Sequence, residues 1–298
     1  MLKIGLRGRF ALLAGLVMLV LCLLAVGLTN AARADGLKPL VFFTNRDSDD
    51  ELYVSDPVRR MSFNLTRMAG WDGTPAYSAD GRWLAFASNR DGNLELYRMA
   101  ANGSGVQRLT DSDARETEPA WSPDGRRLAY VGDSAGNWDI YVLDLVTGET
   151  RQLTTAAVDD QSPVWSPDGL SIAYVSYRRG NWAIFTMDVD GTNSTEITTN
   201  TRVRDLDPAW SPDGQRIAFA SDRRERNFEI WVMNRDGSNL QRLTNHSGMD
   251  VNPVWTSDGT SITFESWREG NVDLYRMRAD GSHLERLTFD DARDGDPA

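Results

Sequence analysis

Pro119-Ala120-Trp121-Ser122-Pro123-Asp124-Gly125 is the stretch on which the fold turns. It returns as Pro163-Val164-Trp165-Ser166-Pro167-Asp168-Gly169 and as Pro208-Ala209-Trp210-Ser211-Pro212-Asp213-Gly214. Proline fixes φ inside the Ser-Pro-Asp-Gly turn and glycine accepts a positive φ at its end, so each copy reverses the chain. Looser copies flank these three: Tyr77-Ser78-Ala79-Asp80-Gly81 after Pro75, Trp255-Thr256-Ser257-Asp258-Gly259 after Pro253, and a last proline at Pro297. The Asp-Gly pairs begin at Asp80, Asp124, Asp168, Asp213 and Asp258, spaced 44, 44, 45 and 45 residues apart. Leu/Ile-Thr pairs at Leu65, Leu109, Leu153, Ile197, Leu243 and Leu287 bring the count to six units. A fixed period of this length is the signature of a repeat architecture.

Within one unit the pattern predicts four short strands. The stretch 119–121 leads into the turn, 128–131 is a β-rich apolar run, 140–143 a third strand and 152–154 a fourth. Asp190-Gly191, Asp236-Gly237 and Asp280-Gly281 are tight turns that join third strands to fourth ones. No helical periodicity follows residue 34. Four antiparallel strands per unit, six times over, predict an all-β chain: a six-bladed β-propeller occupying residues 35–298, preceded by an N-terminal apolar helix. The chain enters at a second-strand position (40–43) and stops at Pro297-Ala298, where a first strand begins. Together the two ends are expected to build one blade and close the ring, which removes exposed sheet edges. The last copy stops short of its Trp and turn, so either the closing strand is clipped or the chain is incomplete.

The repeat residues resemble those of the TolB family, whose propeller signature is an acid, two residues, Pro, one residue, then Trp-Ser-Pro-Asp-Gly. The copies at Trp121–Gly125, Trp165–Gly169 and Trp210–Gly214 carry it whole, whereas those beginning at Tyr77 and Trp255 depart slightly. Similar propellers occur in the prolyl-oligopeptidase class, ahead of a hydrolase domain. In TolB an α/β domain precedes the propeller; only 35–39 precede the first strand here, so that domain is expected to be missing. The resemblance implies a propeller face that engages a protein partner, as the TolB propeller contacts a peptidoglycan-associated lipoprotein. It matches no contact residues.

Ahead of the repeats, Lys3, Arg7 and Arg9 precede an uncharged apolar run over 10–28, and Ala32-Arg33-Ala34 suits a signal peptidase. The 19-residue run would span about 28 Å as a helix, close to the hydrocarbon thickness of a bilayer. Residues 1–34 therefore read as a signal peptide or an uncleaved signal anchor. Both place the rest outside the cytoplasm, periplasmic or at the cell surface, with the membrane touched only through 10–28 if that run is kept.

Composition narrows the function. The chain has 298 residues, 32 Lys+Arg against 43 Asp+Glu, one Cys and two His. Cys22 lies in the apolar run, so the repeats hold neither a disulfide nor a thiolate metal cage. Residues 1–34 contain four basic and no acidic residues, which leaves the remainder at a net −15. Such a surface argues against nucleic acid. His246 and His283 are too few for a polyhistidine metal site, and they fall in a strand-four exit loop and beside a hairpin turn on the opposite face.

Two sets of residues on one face are candidate binding groups. Three residues before each repeat proline stands an acid: Asp72, Glu116, Asp160, Asp205, Asp250 and Asp294. The loops between second and third strands carry Arg46, Arg90, Arg178, Arg223 and Arg268, with Ser134 as the exception. One reading is a carboxylate ring at the channel mouth that holds a cation or a basic partner segment. The other is a set of ion pairs that lock each blade, with a carboxylate near Ser134 left over. Trp138, Tyr177, Trp182, Phe228 and Trp267 are the second set, able to grip a peptide or stack on a sugar. Trp138, Trp182 and Phe228 have packing between blades as the favoured alternative, and Tyr177 and Trp267 are expected to be exposed for contact. Trp121, Trp165, Trp210 and Trp255 are expected to pack blades together.

Gly132-Asp133-Ser134-Ala135-Gly136 matches the G-x-S-x-G nucleophile elbow but is followed by a strand pattern, whereas that motif needs a helix there. The acidic stretches 47–50 and 188–191 lack the ligand spacing of a calcium loop. No resident cofactor is expected, apart from the cation just considered. The sequence thus favours an exported, non-enzymatic binder of a protein or peptide. The alternatives are a lyase-like propeller enzyme acting on carbohydrate, and an accessory propeller beside a separate catalytic chain.

Overall fold

The computed structural model describes residues 39–56, 61–199, 202–224 and 227–298. The apolar run and its expected helix lie outside the described residues. Among those described, no helix is long and apolar enough to cross a membrane.

Among the described residues, twenty-four strands form six four-stranded antiparallel sheets, the blades of one propeller. Blade one joins the two chain ends: Asp294–Gly295 pairs with Val41–Thr44, which continues into Glu51–Asp56 and Met61–Asn64. Val41 and Ala298 exchange backbone hydrogen bonds of 3.1 and 2.8 Å beyond that pairing. Blades two to six cover 72–108, 116–152, 160–196, 205–242 and 250–286, each a simple meander.

The turns form as their chemistry requires. In blade three the Gly125 N–H reaches the Ser122 carbonyl at 2.9 Å with Gly125 at φ 68°, and Asp124 accepts from the Arg126 N–H at 3.0 Å. Strand one is longer than the pattern suggested, Glu116–Trp121, while strand four, Thr150–Gln152, stops before Leu153. The threonine of each Leu/Ile-Thr pair folds inward and caps strand three, as where Thr154 Oγ1 accepts from the Ile140 N–H at 2.9 Å.

Second and third strands are apolar on both sides because each blade is sandwiched between two others. Ala129, Val131, Ile140 and Val142 of blade three pack against Trp165, Ile172, Tyr174 and Phe185 of blade four. The repeat tryptophans are buried between blades as expected. Trp121 and Trp255 also donate from Nε1 to the carbonyls of Ala76 and Ala209 in the preceding blades, at 2.9 and 3.2 Å.

Candidate functional site

All six acids at the strand-one starts are buried, Glu116 the most accessible at 6%. Four of them are held by the arginine of their own blade: Asp72 by Arg90 at 2.8 Å, Asp205 by Arg223 at 2.7 Å, Asp250 by Arg268 at 2.9 Å and Asp294 by Arg46 at 3.0 Å. The same guanidinium covers the aromatic pair of strands two and three, as where Arg268 lies 5.7 Å from Phe264 and 4.6 Å from Tyr275. These acids therefore face protein, and the geometry is that of the blade-locking ion pair. Asp160 differs: Arg178 keeps the bond to Ser176 Oγ, at 3.0 Å, that the other arginines make to their Ser or Thr, but its Nη2 donates to the Tyr174 hydroxyl at 3.4 Å instead of to the aspartate. Burial raises the Asp160 carboxyl, partly offset by the Ser176 and Thr154 hydroxyls and the Arg178 charge.

Of the aromatics, Trp138 and Trp182 are half-buried and pack on blade cores, and Phe228 is buried. Arg115 caps the Trp138 ring at 4.7 Å, and Arg204 caps Phe228 at 4.6 Å. Tyr177 is exposed, 42%, beside Trp182 with their rings 5.1 Å apart. Here strands two and three run on to Arg178 and Asn181, so Tyr177 rides near the tip of an extended hairpin. Trp267 is half-buried, contrary to expectation. Its backbone is overlaid by the incoming loop: Gly248 lies so close that a side-chain carbon there would come within 2.8 Å of the Trp267 carbonyl.

A different ring of side chains faces the channel. Strand one of blades two to six slips register at a bulge, between Gln161 and Val164 in blade four, for example. In every blade the residue before the repeat proline takes a left-handed conformation: Thr74, Glu118, Ser162, Asp207, Asn252 and Asp296 have φ between 47° and 52°. Each such non-glycine residue costs on the order of 1 kcal/mol in backbone strain. The bulge turns these side chains toward one another across blades. The Ser162 N–H donates to Glu118 at 2.6 Å, the Asn252 N–H to Asp207 at 3.3 Å, and Asn252 Nδ2 to Asp296 at 3.1 Å. Glu265, buried in strand two of blade six where the other blades have Ala, Val or Phe, accepts from Asn252 and from the Asp296 N–H at 2.7 Å.

Glu118, Asp207, Asp296 and Glu265 form no ion pair among the described residues. Glu265 is buried, the other three are half-buried, and the four feel one another. Burial lifts Glu118 to about 7, with the Asp207 and Asp296 charges adding to it. Burial lifts Asp207 to about 6, with Asp296 again contributing, and Glu265 to about 8. The channel thus holds acids that no cation among the described residues neutralises, and burial holds them toward the protonated form. The signal was present in the sequence, as polar residues before every repeat proline and a glutamate in an apolar column. The acids three residues before proline drew attention away from it.

Among the described residues, no group of three or more His, Cys, Asp or Glu is placed to hold a metal ion. Ser134 lies between two strands with its Oγ 2.6 Å from Tyr141 Oη, and the two histidines are exposed at the places expected. A cleft of about 790 Å³ is lined by residues of blades six, one and two, Leu40, Tyr77, Trp255 and Phe289 among them.

The TolB beta propeller domain family profile matches residues 28–131, 112–205 and 199–298. No curated protein sequence matches the chain. Among solved structures, TolB from Acinetobacter baumannii superposes with a TM-score of 0.76 at 20% identity, covering 87% of this chain and 65% of that one. This chain thus spans just under two thirds of that TolB. A TolB-designated protein of Agrobacterium tumefaciens superposes with a TM-score of 0.69 at 26% identity, covering 84% of this chain and 88% of that one. An oligogalacturonate lyase of Vibrio parahaemolyticus shares the fold at 16% identity and a TM-score of 0.59, covering 84% of this chain and 74% of that one.

Proposed function

The chain belongs to the TolB beta propeller domain family, and on that premise we propose that it is an exported, non-enzymatic scaffold for a protein or peptide partner. The partner docks on the face bearing the loops between second and third strands and presents a basic side chain to the channel. The observation that carries this reading is the unneutralised set Glu118, Asp207 and Asp296, held in strained backbone at the inner ring. A lysine or arginine entering there meets preorganised acceptors and relieves repulsion already present in the fold. Tyr177 supplies an exposed aromatic on the same face. Export rests on the basic flank and apolar run of residues 1–34.

The same charge speaks against a polyuronate-cleaving function. An anionic oligosaccharide would face those carboxylates, and neither histidine lies near them. Affinity purification from the native envelope tests the proposal, using the wild type beside an E118Q/D207N/D296N variant that stays folded. A stoichiometric protein retained by the wild type and lost by the variant supports the reading. A bound oligosaccharide, or a protein retained equally by both, overturns it.

A further inference from the structure

Blade three departs from the other five at three linked positions. Elsewhere the strand-one acid is Asp, the matching loop position is Arg (eighteen residues later in blades two, four, five and six, and Arg46 from the other chain end in blade one), and the residue two before that arginine is Ser or Thr. In blade three these are Glu116, Ser134 and Gly132. The aromatic pair that an arginine covers in the other blades is here Tyr130 and Tyr141, stacked at 5.5 Å, and Ser134 reaches only the Tyr141 hydroxyl. Glu116 has therefore lost its cation.

It meets a second acid instead. Ser112, in the loop entering blade three, donates its backbone N–H to Glu95 Oε1 at 3.0 Å and its hydroxyl to Glu116 Oε1 at 3.0 Å. The two carboxyl groups converge on one residue from neighbouring blades, Glu95 wholly buried and Glu116 nearly so. Glu95 Oε1 also accepts from Arg108 at 2.9 Å, and Arg108 is shared with Asp111 at 2.8 Å. The Oε2 atom of each glutamate is buried with no donor among the described residues. Two adjacent buried carboxylates that each leave one oxygen without a donor are costly unless a proton lies between them.

We propose that Glu95 and Glu116 share a single proton, making the junction of blades two and three a proton-dependent latch where four of the other blades use an arginine. Glu116 is the proton holder and Glu95 the carboxylate. Arg108 and the Ser112 N–H stabilise charge on Glu95, whereas the donor to Glu116 is the neutral Ser112 hydroxyl, and the Thr110 hydroxyl lowers both groups alike. The remaining titratable groups around the pair do not reverse this order. Tyr130 and Tyr97 stay protonated, Asp139 on strand three of blade three is bonded to Thr154 and Gln152, and Asp133 is paired with Arg115 at 2.7 Å. Loss of the shared proton puts two buried negative charges side by side and loosens the loop 109–115 that both hold.

Carbon-13 carboxyl NMR on glutamate-labelled full-length chain tests this, with amide exchange of residues 109–118 measured on the same samples. The expected result is one glutamate titrating well above the ordinary range, its signal absent in Glu116→Gln and its midpoint lowered in Glu95→Gln. Protection of 109–118, corrected for intrinsic exchange, should fall about tenfold as the wild type passes from mildly acidic to mildly alkaline pH. It should hold steady in Glu116→Gln, and in a Glu116→Asp/Gly132→Ser/Ser134→Arg variant that restores the ion pair. An ordinary midpoint for Glu116, or a protection loss that is equal in Glu116→Gln, overturns the proposal.

Discussion

The Ser162 backbone N–H donates a 2.6 Å hydrogen bond to the carboxylate of Glu118, joining the inner strands of two neighbouring blades. This bond favours charge on Glu118, yet burial and the Asp207 and Asp296 charges outweigh it. Replacing Glu118 with Gln keeps an acceptor for Ser162 and removes the repulsion. E118Q should raise stability by about 1–2 kcal/mol at about pH 8 and change it little at about pH 5. Thermal melts at the two pH values check this, and equal shifts at both would sink it.

The pH dependence of the whole fold has a defined sign. Glu118, Asp207, Glu265 and Glu116 all have carboxyls raised above their ordinary values, to about 7, 6, 8 and 7. Such a group keeps its proton longer in the folded than in the unfolded chain. Its stabilising contribution is complete below the unfolded value and is lost as pH rises through the folded one. Stability should therefore decline from about pH 4.5 to about pH 8, by about 1–3 kcal/mol after mutual coupling and solvent screening are allowed for. The turn aspartates Asp80, Asp124, Asp168, Asp213 and Asp258 are lowered by their own Ser or Thr hydroxyls, so they act only in the acid below that window. Chemical denaturation at constant ionic strength across the window would show a flat or rising curve if this assignment were wrong.

Arg268→Ala strands the wholly buried Asp250 without its partner and should destabilise by about 3–5 kcal/mol. Arg178→Ala should cost less, because Arg178 makes no direct ion pair with Asp160 and loses chiefly its contacts to Ser176 and Phe185. Urea midpoints at an unchanged slope give the comparison. Equal losses would mean that the arginines act through ring packing rather than through the carboxylates.

Tyr177→Ala should lower stability by less than about 1 kcal/mol, since the ring is largely in solvent. Trp182→Ala, against the blade-four and blade-five core, should cost about 2–3 kcal/mol. Partner affinity should fall with Tyr177→Ala while its melting temperature holds. A melting temperature that falls as far as for Trp182→Ala would assign Tyr177 to packing.

The ring and its closure were legible because their determinants are local. Ser122-Pro123-Asp124-Gly125 closes its turn with its own atoms, and the unbroken apolar runs 128–131 and 140–143 reflect burial on both sides between neighbouring blades. The exposure of Trp267 was not legible, because the loop that covers it arrives from the previous blade through Gly248. Nor was the failure of Arg178 to reach Asp160, since its guanidinium turns to the Tyr174 hydroxyl.

The sequence by itself determined the period, the blade count and the joining of the two termini, since each follows from turn chemistry and pleat repeated along the chain. Only the tertiary structure decided which carboxylates are neutralised. The acids three residues before each proline and the polar residues directly before it lie two positions apart, yet the bulge sends them to different surroundings. The first set is buried within its own blade, four of its members against an arginine, and the second faces the channel. Glu118 is opposed by Asp207 and Asp296 because those blades lie across the channel, and Glu116 meets Glu95 because blades two and three abut. Electrostatic energy depends on distance in space, and the closed ring brings together charges that the repeat keeps many residues apart.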